Sequence, residues 1–354
     1  MQTLTLKTLR KTITRDEYKE RIYLKNKSSG TRFVLECALV NFDKFCKEEY
    51  GKKADELILT LSENQGDSLY HFLQDFIDFM TKKGLSVASQ KAYFSFIRSF
   101  LRSQGIKVYS EDIRDLIRFP TKIKEIMEPL SKDQIRTFLD SSKQDRKALY
   151  LSLLSSGMRI GEALSLRKKD IDFTSSPIKI RIQGLYTKTK QTRETYISSE
   201  AEIQVKRLIK EKNDDNLVFG KSNDLRLAIN IEEHVFSDLR QRCSLTEKYQ
   251  DGKRYKVNLH SMRAFFHTQA SIIHDEQYAN AMDGHQGYLM QYYRLSPEKR
   301  VEMYRKLEPY LQVYSDEKLT KTQEELREKV DSQTRDIEKL TKMVARLQQY
   351  AHKK

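Results

Sequence analysis

Cysteines and long apolar stretches are both scarce in this chain of 354 residues. It contains three cysteines, Cys37, Cys46 and Cys243, without a close CxxC pair. An odd, widely spaced set argues against a disulfide framework and against a structural zinc site. No apolar run approaches the length of a membrane span, and the N-terminus has no hydrophobic signal segment. We therefore expect a soluble, cytoplasmic protein that has no membrane partner.

Acidic residues are also in deficit. The chain has 65 Lys and Arg against 50 Asp and Glu, which gives a formal net charge of +15. Residues 315–354 carry ten Lys/Arg and eight Asp/Glu, so a charge of +13 belongs to residues 1–314. A basic excess of this size favours a polyanionic partner, and nucleic acid is the first candidate. The alternative is a lysine-rich surface that only keeps the protein solvated.

Composition and periodicity predict an N-terminal helical module. Residues 1–30 hold eight Lys/Arg against three Asp/Glu and are interpreted as a basic arm. Residues 31–115 repeat apolar side chains at helical spacing, which predicts three or four short amphipathic helices. The first of these apolar sets consists of Phe33, Val34, Cys37, Leu39, Phe42 and Phe45. Pro120 and Pro129 indicate a linker over residues 116–130.

A second domain is predicted over residues 131–314, beginning with a helix that Ser131 caps. Residues 146–166 read as an apolar helix-turn-helix. Residues 178–182 alternate like a strand, 187–192 form a polar turn, and 194–197 read as the return strand. The remaining pattern is helical. We therefore predict a mainly α fold with a small β-hairpin or sheet, of the α+β class.

The C-terminal segment, residues 315–354, has a heptad pattern. Leucine occupies d positions, and the a positions are Val330, Ile337, Val344 and Ala351. This combination favours a parallel two-stranded coiled coil. A single amphipathic helix packed on its own domain is an equally good reading.

An ordered set of cationic and imidazole side chains is followed by tyrosines in the second domain. Breaking a phosphodiester without a metal requires a nucleophile, stabilisation of the non-bridging oxygens and an acid for the leaving oxygen. Arginine binds phosphate oxygens bidentately, lysine and histidine can supply or shuttle protons, and tyrosine can form a phosphotyrosyl bond. Each residue alone has an ordinary structural explanation. Their order along the chain is the specific signal.

That order resembles the tyrosine recombinase (phage integrase) family. The resemblance rests on SGMRIGEALSLRKKDID, the TKT turn, HSMRAFFHT and a GH followed by tyrosines, and it covers roughly residues 125–310. The closing stretch GHQGYLMQYYRLSPEKRVEMYRKLEPYL is most similar to integrases of archaeal viruses and integrated elements. The family implies a helical core-binding domain and a catalytic domain that clamp double-stranded DNA, with no cofactor and no metal.

The resemblance also implies the roles of individual residues. Arg159 corresponds to the first catalytic arginine, and Glu162 supports it. Lys188 corresponds to the general acid in the hairpin. The family's H-x-x-R pair and second histidine correspond to His260, Arg263 and His285.

The nucleophile is one of two adjacent tyrosines. Many family members carry tyrosine nine residues after the second histidine, where this chain has Arg294. Archaeal-type relatives often carry a Y-x-R phrase, which Tyr292 and Arg294 match. Tyr292 is therefore preferred, with Tyr293 as the alternative.

The expected function is site-specific recombination that integrates or excises a mobile element, by a nucleoid-associated protein that forms a tetramer on its attachment site. The C-terminal segment would add a dimer contact. A chromosome-dimer resolvase of the Xer type uses the same chemistry and is the nearest alternative. A type IB topoisomerase would relax supercoils without a defined site. From another class, a catalytically inactive DNA-binding protein would retain the fold alone.

Overall fold

The computed structural model describes residues 13–26, 29–63, 66–121, 126–187, 190–249, 254–285 and 293–314. The chain divides into two compact units, Met1–Lys124 and Glu125–Lys354. The described residues are mainly α-helical and contain one small antiparallel sheet, which confirms the predicted fold class. No helix among them is long and apolar enough to cross a membrane. The predicted coiled coil at 315–354 lies outside the described residues.

The first unit is built from helices alone in its described part. They are α1 (Arg15–Asn26), α2 (Ser29–Tyr50), α3 (Ala54–Glu63), α4 (Asp67–Lys82), α5 (Val87–Ser103) and α6 (Ser110–Leu116). Phenylalanine rings of α2 and α4 interlock, with ring centroids 5.5 Å apart for Phe42 and Phe76 and 5.1 Å apart for Phe45 and Phe72. Edge-on and tilted contacts of this kind add to the stabilisation from burial. The Phe-rich periodicity thus marks the core of this unit.

The buried face of α2 differs in phase from the predicted one. Phe33 is 53% exposed. The buried positions on this helix are Leu35, Ala38, Leu39, Phe42, Phe45 and Cys46. Their spacing follows i, i+3, i+4 and i+7, which keeps them on one helical stripe, whereas Phe33 lies beside that stripe. Burial raises the pKa of the Cys46 thiol to about 12, as expected for a core cysteine.

Helix α1 lies inside the segment interpreted as a basic arm. Tyr18 is buried against the core of this unit, and its hydroxyl donates to the carbonyl of Phe96 at 3.1 Å. Both outer nitrogens of Arg15 donate to Asp43 at 2.7 Å, which ties α1 to α2. The α1 side chains that pack on this core are Tyr18 and Ile22, one turn apart among charged residues, whereas Tyr23 and Leu24 are exposed. So short a stripe gives little periodic signal.

The second unit contains a three-stranded antiparallel sheet in the order β1-β2-β3. Its strands are β1 (Ile171–Asp172), β2 (Lys179–Ile182) and β3 (Arg193–Tyr196). The β2–β3 pairing, with Ile180 opposite Thr195, confirms the predicted hairpin. Strand β1 was not predicted, because two residues are too few to show alternation.

Helices surround this sheet and enclose the larger core. They are α7 (Lys132–Asp140), α8 (Gln144–Ser156), α9 (Ile160–Ser165), α10 (Ser199–Leu208), α11 (Leu225–Arg242), α12 (Leu259–Ile273), α13 (Glu276–Asp283) and α14 (Pro297–Leu311). Ser131 caps α7 in a capping box with Gln134, as predicted. Helix α8 is buried over Ala148–Ser156 and packs against α10 and α12. Tyr304 of α14 is fully buried and donates to the carbonyl of Ser155 at 2.8 Å.

Candidate active site

A sharp break between α8 and α9 positions Arg159. Helix α8 ends at Gly157, which has a φ of +65° and a left-handed conformation. A Cβ at this position would lie 2.4 Å from Cδ1 of Phe266, so glycine is required for two independent reasons. Arg159 then takes an extended conformation at the cap of α9. The SGMR sequence therefore places the arginine at the start of a new helix.

Glu162 is the buried partner of Arg159. Its side chain is 1% exposed and accepts hydrogen bonds from the Arg159 backbone N–H at 2.8 Å and from Arg159 Nη1 at 3.1 Å. The guanidinium of Arg193 binds the same carboxylate through Nη1 at 3.1 Å and Nη2 at 2.6 Å. Burial alone would raise the pKa of Glu162, but the hydrogen bonds and charge of Arg193, with those of Arg159, outweigh it and lower the pKa.

Arg263 approaches the same region from α12. Its side chain is 3% exposed, and Nη1 donates to the carbonyl of Gly157 at 2.5 Å. Nη2 lies 3.3 Å from Oδ1 of Asp283, close enough for an ion pair but without hydrogen-bond alignment. Among the described residues, neither Nε nor Nη2 of Arg263 has a hydrogen-bond acceptor. Burial lowers the pKa of Arg263 to about 10.

His260 lies three residues earlier, in the first turn of α12. Asn258 caps this turn by accepting from the His260 backbone N–H at 3.0 Å. The pKa of His260 is lowered, first by partial loss of solvent around the ring and then by the positive charges of Arg263, His285 and Arg159. Although the residue as a whole is exposed, its ring is therefore surrounded by cationic groups and favours the neutral form.

A second buried carboxylate, Asp283, organises the end of α13. It is fully buried and accepts from Nδ1 of His285 at 2.8 Å and from the His285 backbone N–H at 3.0 Å. Nδ1 of His267 lies 2.9 Å from its other oxygen. Asp283 engages Nδ1 of His285 and not Nε2, and the His285 side chain is 49% exposed.

His267, Asp283 and His285 also have the donor types of a metal site. Their ligand atoms lie within 4.8 Å of one another. In this arrangement both imidazoles hydrogen-bond the carboxylate that a metal would need, and the Arg263 guanidinium lies 3.3 Å from it. A fixed positive charge beside the shared ligand opposes binding of a divalent cation. The three residues are explained as a hydrogen-bond network.

The structure brings five of the predicted residues into one site. They are Arg159, Glu162, His260, Arg263 and His285. Lys188 and Tyr292 lie outside the described residues, so their predicted roles stay predictions. In the sequence, Lys188 precedes Arg193, the first residue of β3, by five positions.

Tyr293 is described, and its ring is half-buried against the core of the second unit. It lines a cavity of about 340 Å³ together with Arg193, Tyr278 and Met282. Burial, followed by the negative charge of Asp275, raises the pKa of Tyr293. A raised pKa leaves less of the phenol ionised at neutral pH.

Two residues of the site, Arg193 and Asp283, were missed by the sequence analysis. Arg193 contacts Glu162, which is 31 positions away in the chain, and Asp283 contacts His267, which is 16 positions away. Neither pairing follows a local period. One signal was present: Asp283 directly precedes the predicted Gly284-His285 pair.

Comparison with known proteins identifies relatives of this unit. The phage integrase family profile matches residues 128–286. The tyrosine recombinase XerA of Saccharolobus solfataricus is 24% identical over 231 residues, which cover 54% of this chain and 78% of that protein. XerA of Thermococcus onnurineus is 29% identical over 111 residues, and the match spans 30% of this chain but only 37% of that relative's length.

Solved structures show the same fold. A lambda integrase (75–356) dimer bound to a COC′ core site superposes with a TM-score of 0.57 at 12% identity, over 80% of this chain and 97% of that one. A lambda integrase tetramer bound to a Holliday junction gives a TM-score of 0.51 at 12% identity, over 77% and 76% of the two chains. At this level of identity the likeness concerns the fold.

Proposed function

Because residues 128–286 make this chain a member of the phage integrase family of tyrosine recombinases, we propose that it is a site-specific DNA recombinase. It cleaves and rejoins DNA strands through a covalent 3′-phosphotyrosyl intermediate, and thereby integrates or excises a mobile element. Its partner is double-stranded DNA that carries a specific attachment site. The +13 charge of residues 1–314 supports such a partner.

This proposal rests mainly on the buried side chain of Arg263 and on the hydrogen-bond partners of its nitrogens. A guanidinium that is almost completely buried normally has acceptors for its N–H groups. In Arg263 two nitrogens lack one among the described residues, beside a second arginine, Arg159, whose side chain is 31% exposed. Two neighbouring guanidinium groups of this kind suit the two non-bridging oxygens of a phosphodiester.

The reaction then follows from the proposed roles. Arg159 and Arg263 donate to the non-bridging oxygens and stabilise the charge that builds on them in the pentavalent transition state. The tyrosine oxygen forms a bond to phosphorus while the bond from phosphorus to the 5′ oxygen breaks. His260, whose ring is neutral at pH values above its pKa in the complex, accepts the tyrosine proton, and Lys188 protonates the departing 5′ oxygen. His285, whose Nδ1 is held by Asp283, contributes Nε2 on the side of the phosphate.

Tyr292 is the proposed nucleophile. The packing of Tyr293 against the core and its raised pKa support this choice over the neighbouring residue. The next tyrosine along the chain is Tyr304, in α14. It is fully buried and its hydroxyl donates a hydrogen bond to the Ser155 carbonyl, so it is a core residue. In this proposal Tyr292 attacks the phosphate, and its neighbour Tyr293 packs against the core.

Assembly as a tetramer on two duplexes, inside the cell that holds the target DNA, belongs to this proposal. Lambda integrase, which shares the fold, has been solved as a dimer on a core site and as a tetramer on a Holliday junction. A resolvase of the Xer type uses the same site and is the nearest alternative, since both XerA relatives are similar to this chain.

Covalent capture of DNA tests the proposal. Wild-type protein would be incubated with a library of nicked duplexes of random sequence, in which a nick near the cleaved bond lets the short 5′ product diffuse away. We expect a denaturant-resistant protein–DNA adduct that persists in EDTA and is enriched for one sequence. Adducts without any sequence preference would indicate a topoisomerase. DNA binding without adduct would indicate an inactive DNA-binding protein and would overturn the proposal.

A further inference from the structure

Arg193 lies at the start of β3 and contacts two separate parts of the candidate site. We propose that Arg193 is a positioning residue, which holds Arg159 in place through Glu162 and fixes the end of α13 that carries His285. This inference rests on the proposed function, because it assigns a further residue to the same reaction. Arg193 follows Lys188 by five positions, so it also anchors the strand that leads away from the predicted general acid.

The contacts of Arg193 leave it little freedom. Its side chain is 11% exposed. Nη1 and Nη2 both donate to Glu162, at 3.1 and 2.6 Å, and Nε donates to the carbonyl of Met282 at 3.1 Å. All three guanidinium nitrogens therefore bind protein groups from α9 and α13. A side chain used in this way orients its neighbours and does not itself contact the phosphate.

Close packing at Gly284 supports the link to His285. Gly284 has a φ of +75°, and a Cβ built there would lie 2.9 Å from Nη1 and 3.0 Å from Cζ of Arg193. The guanidinium thus lies directly against the turn that joins Asp283 to His285. Only glycine permits both this turn and this approach.

Electrostatics explains why the carboxylates are needed. The charge of Arg193 contributes, after burial and after the charge of Arg159, to the lowered pKa of Arg263. Three guanidinium groups so close together repel one another. Glu162, buried between Arg159 and Arg193, offsets part of that repulsion and fixes both arginines. Loss of Arg193 would free Glu162 to draw Arg159 away from the phosphate.

Lysine cannot replace Arg193. A lysine ammonium is a point charge that can pair with Glu162, but it lacks the planar fork that serves Glu162 and Met282 at once. The variant Arg193→Lys should therefore retain charge and folding and still lose alignment. Arg181, exposed on the neighbouring strand β2, provides a matched control on the same sheet.

The test is a double-mutant cycle on the rate of covalent adduct formation. It compares wild type, Arg193→Ala, Arg193→Lys, Arg159→Ala, the Arg159→Ala/Arg193→Ala double variant and Arg181→Ala. The probe is a nicked duplex with the sequence that wild-type protein captures from the random library. Rates are measured in single-turnover conditions with DNA bound. DNA affinity and thermal unfolding are measured in parallel for each variant.

We expect Arg193→Ala to form adduct about 10²-fold more slowly, the range typical of losing one donor to the transition state, at near wild-type DNA affinity. In the Arg159→Ala background the same change should cost less than about tenfold, because residues that act through one another are not additive. Arg181→Ala should react like wild type.

Equal loss in both backgrounds would overturn the inference, because it would mean that Arg193 acts independently of Arg159. Wild-type rates in Arg193→Ala and Arg193→Lys would also overturn it. If Arg193→Ala does not fold, Arg193→Lys decides: a slowed reaction in a folded protein supports the inference, and an unchanged rate contradicts it. Failure of the proposed function appears differently, as absence of any adduct with wild-type protein.

Discussion

Two buried carboxylates determine where the cationic side chains of the site lie. Glu162 holds Arg159 and Arg193, and Asp283 holds His285 and lies beside Arg263. Removing one partner of a buried ion pair typically costs about 3–5 kcal/mol, because the other charge is left uncompensated. The carboxylates therefore contribute to stability and alignment together.

Arg159→Ala should slow cleavage strongly. One donor to the transition-state oxygens is typically worth about 10²–10³ in rate, so we expect a loss of this size in single-turnover adduct formation. DNA affinity should fall little, since the chain has 65 Lys and Arg residues, of which this substitution removes one. Arg207→Ala, an exposed position on α10, serves as a control. Cleavage by Arg159→Ala at the control's rate would contradict the phosphate-clamp mechanism.

DNA binding should take up a proton at His260. In the free protein its pKa is lowered below the ordinary 6.5 by partial burial and by neighbouring positive charges. A bound phosphate adds negative charge and raises this pKa, so the complex binds more protons than the free protein between the two values. Affinity should therefore rise as the pH falls through that window.

The His260 prediction is checked by fluorescence anisotropy between pH 5 and 8. His260→Asn should lose this component of the pH dependence and keep the rest. An identical pH profile for His260→Asn and wild type would show that another group takes up the proton.

At the scale of residues, the sequence predicted those whose neighbours form a motif. Arg159 with Glu162, and His260 with Arg263, are three positions apart, and each pair lies within one turn of helix. Arg193 carried no such signal, because its partners Glu162 and Met282 are distant along the chain. Which charged residue reaches the buried Glu162 depends on how β3 packs against α13, and that arrangement is tertiary.

The break between α8 and α9 is the element on which the site depends most. Gly157→Ala would place a methyl group against Phe266 and force alanine into a left-handed conformation. We expect a loss of about 1–3 kcal/mol in the free energy of unfolding, together with slower cleavage. Denaturant unfolding measures the change in the free energy of unfolding, and single-turnover adduct formation measures the cleavage rate.

Gly161→Ala is the matched control for the break. It lies on α9, four positions away, and its added Cβ would meet Ile229 at an ordinary 3.5 Å. Alanine in a helix is favoured over glycine by about 0.5–1 kcal/mol, so this variant should be equally or more stable than wild type. If both variants had the same stability as wild type, the special role of Gly157 would be wrong.

Elements with clear periodicity were predictable, and short or charged ones were not. The hairpin β2–β3 and the helices α7, α8 and α9 follow from alternation, a capping serine and an apolar helical pattern. Helix α1 was hidden by its charged residues and β1 by its length of two residues. The helix α2 itself was predicted, but Phe33 was assigned to its buried face. Phe33 stands next to apolar residues in the sequence, yet it lies beside the buried stripe and is 53% exposed.

For the whole molecule, the distribution of charge predicts the effect of removing the C-terminal segment. Residues 315–354 carry +2 of the total +15. Deleting them should leave the salt dependence of DNA binding nearly unchanged, because that dependence follows the number of phosphates neutralised. If the heptad pattern forms a coiled coil between two chains, the same deletion should lower the mass measured by light scattering.

Light scattering of full-length protein and of residues 1–314, without DNA and at matched concentrations, provides the measurement. A dimer that becomes a monomer would support the dimer contact. An unchanged oligomeric state would identify the segment as a helix of its own chain. A much weaker salt dependence after deletion would contradict the assignment of the basic surface to residues 1–314.

Attack on DNA by Tyr292, with Arg159 and Arg263 bound to the phosphate, can be tested directly on the covalent adduct. Wild-type adduct can be digested with nuclease and trypsin, and the peptide that retains a nucleotide can be sequenced by mass spectrometry. We expect a nucleotide on Tyr292, in the peptide that begins at Ala264 and ends at Arg294. A nucleotide on Tyr293 would reverse the assignment of the nucleophile. Attachment to a serine or cysteine, or no attached nucleotide at all, would contradict the mechanism.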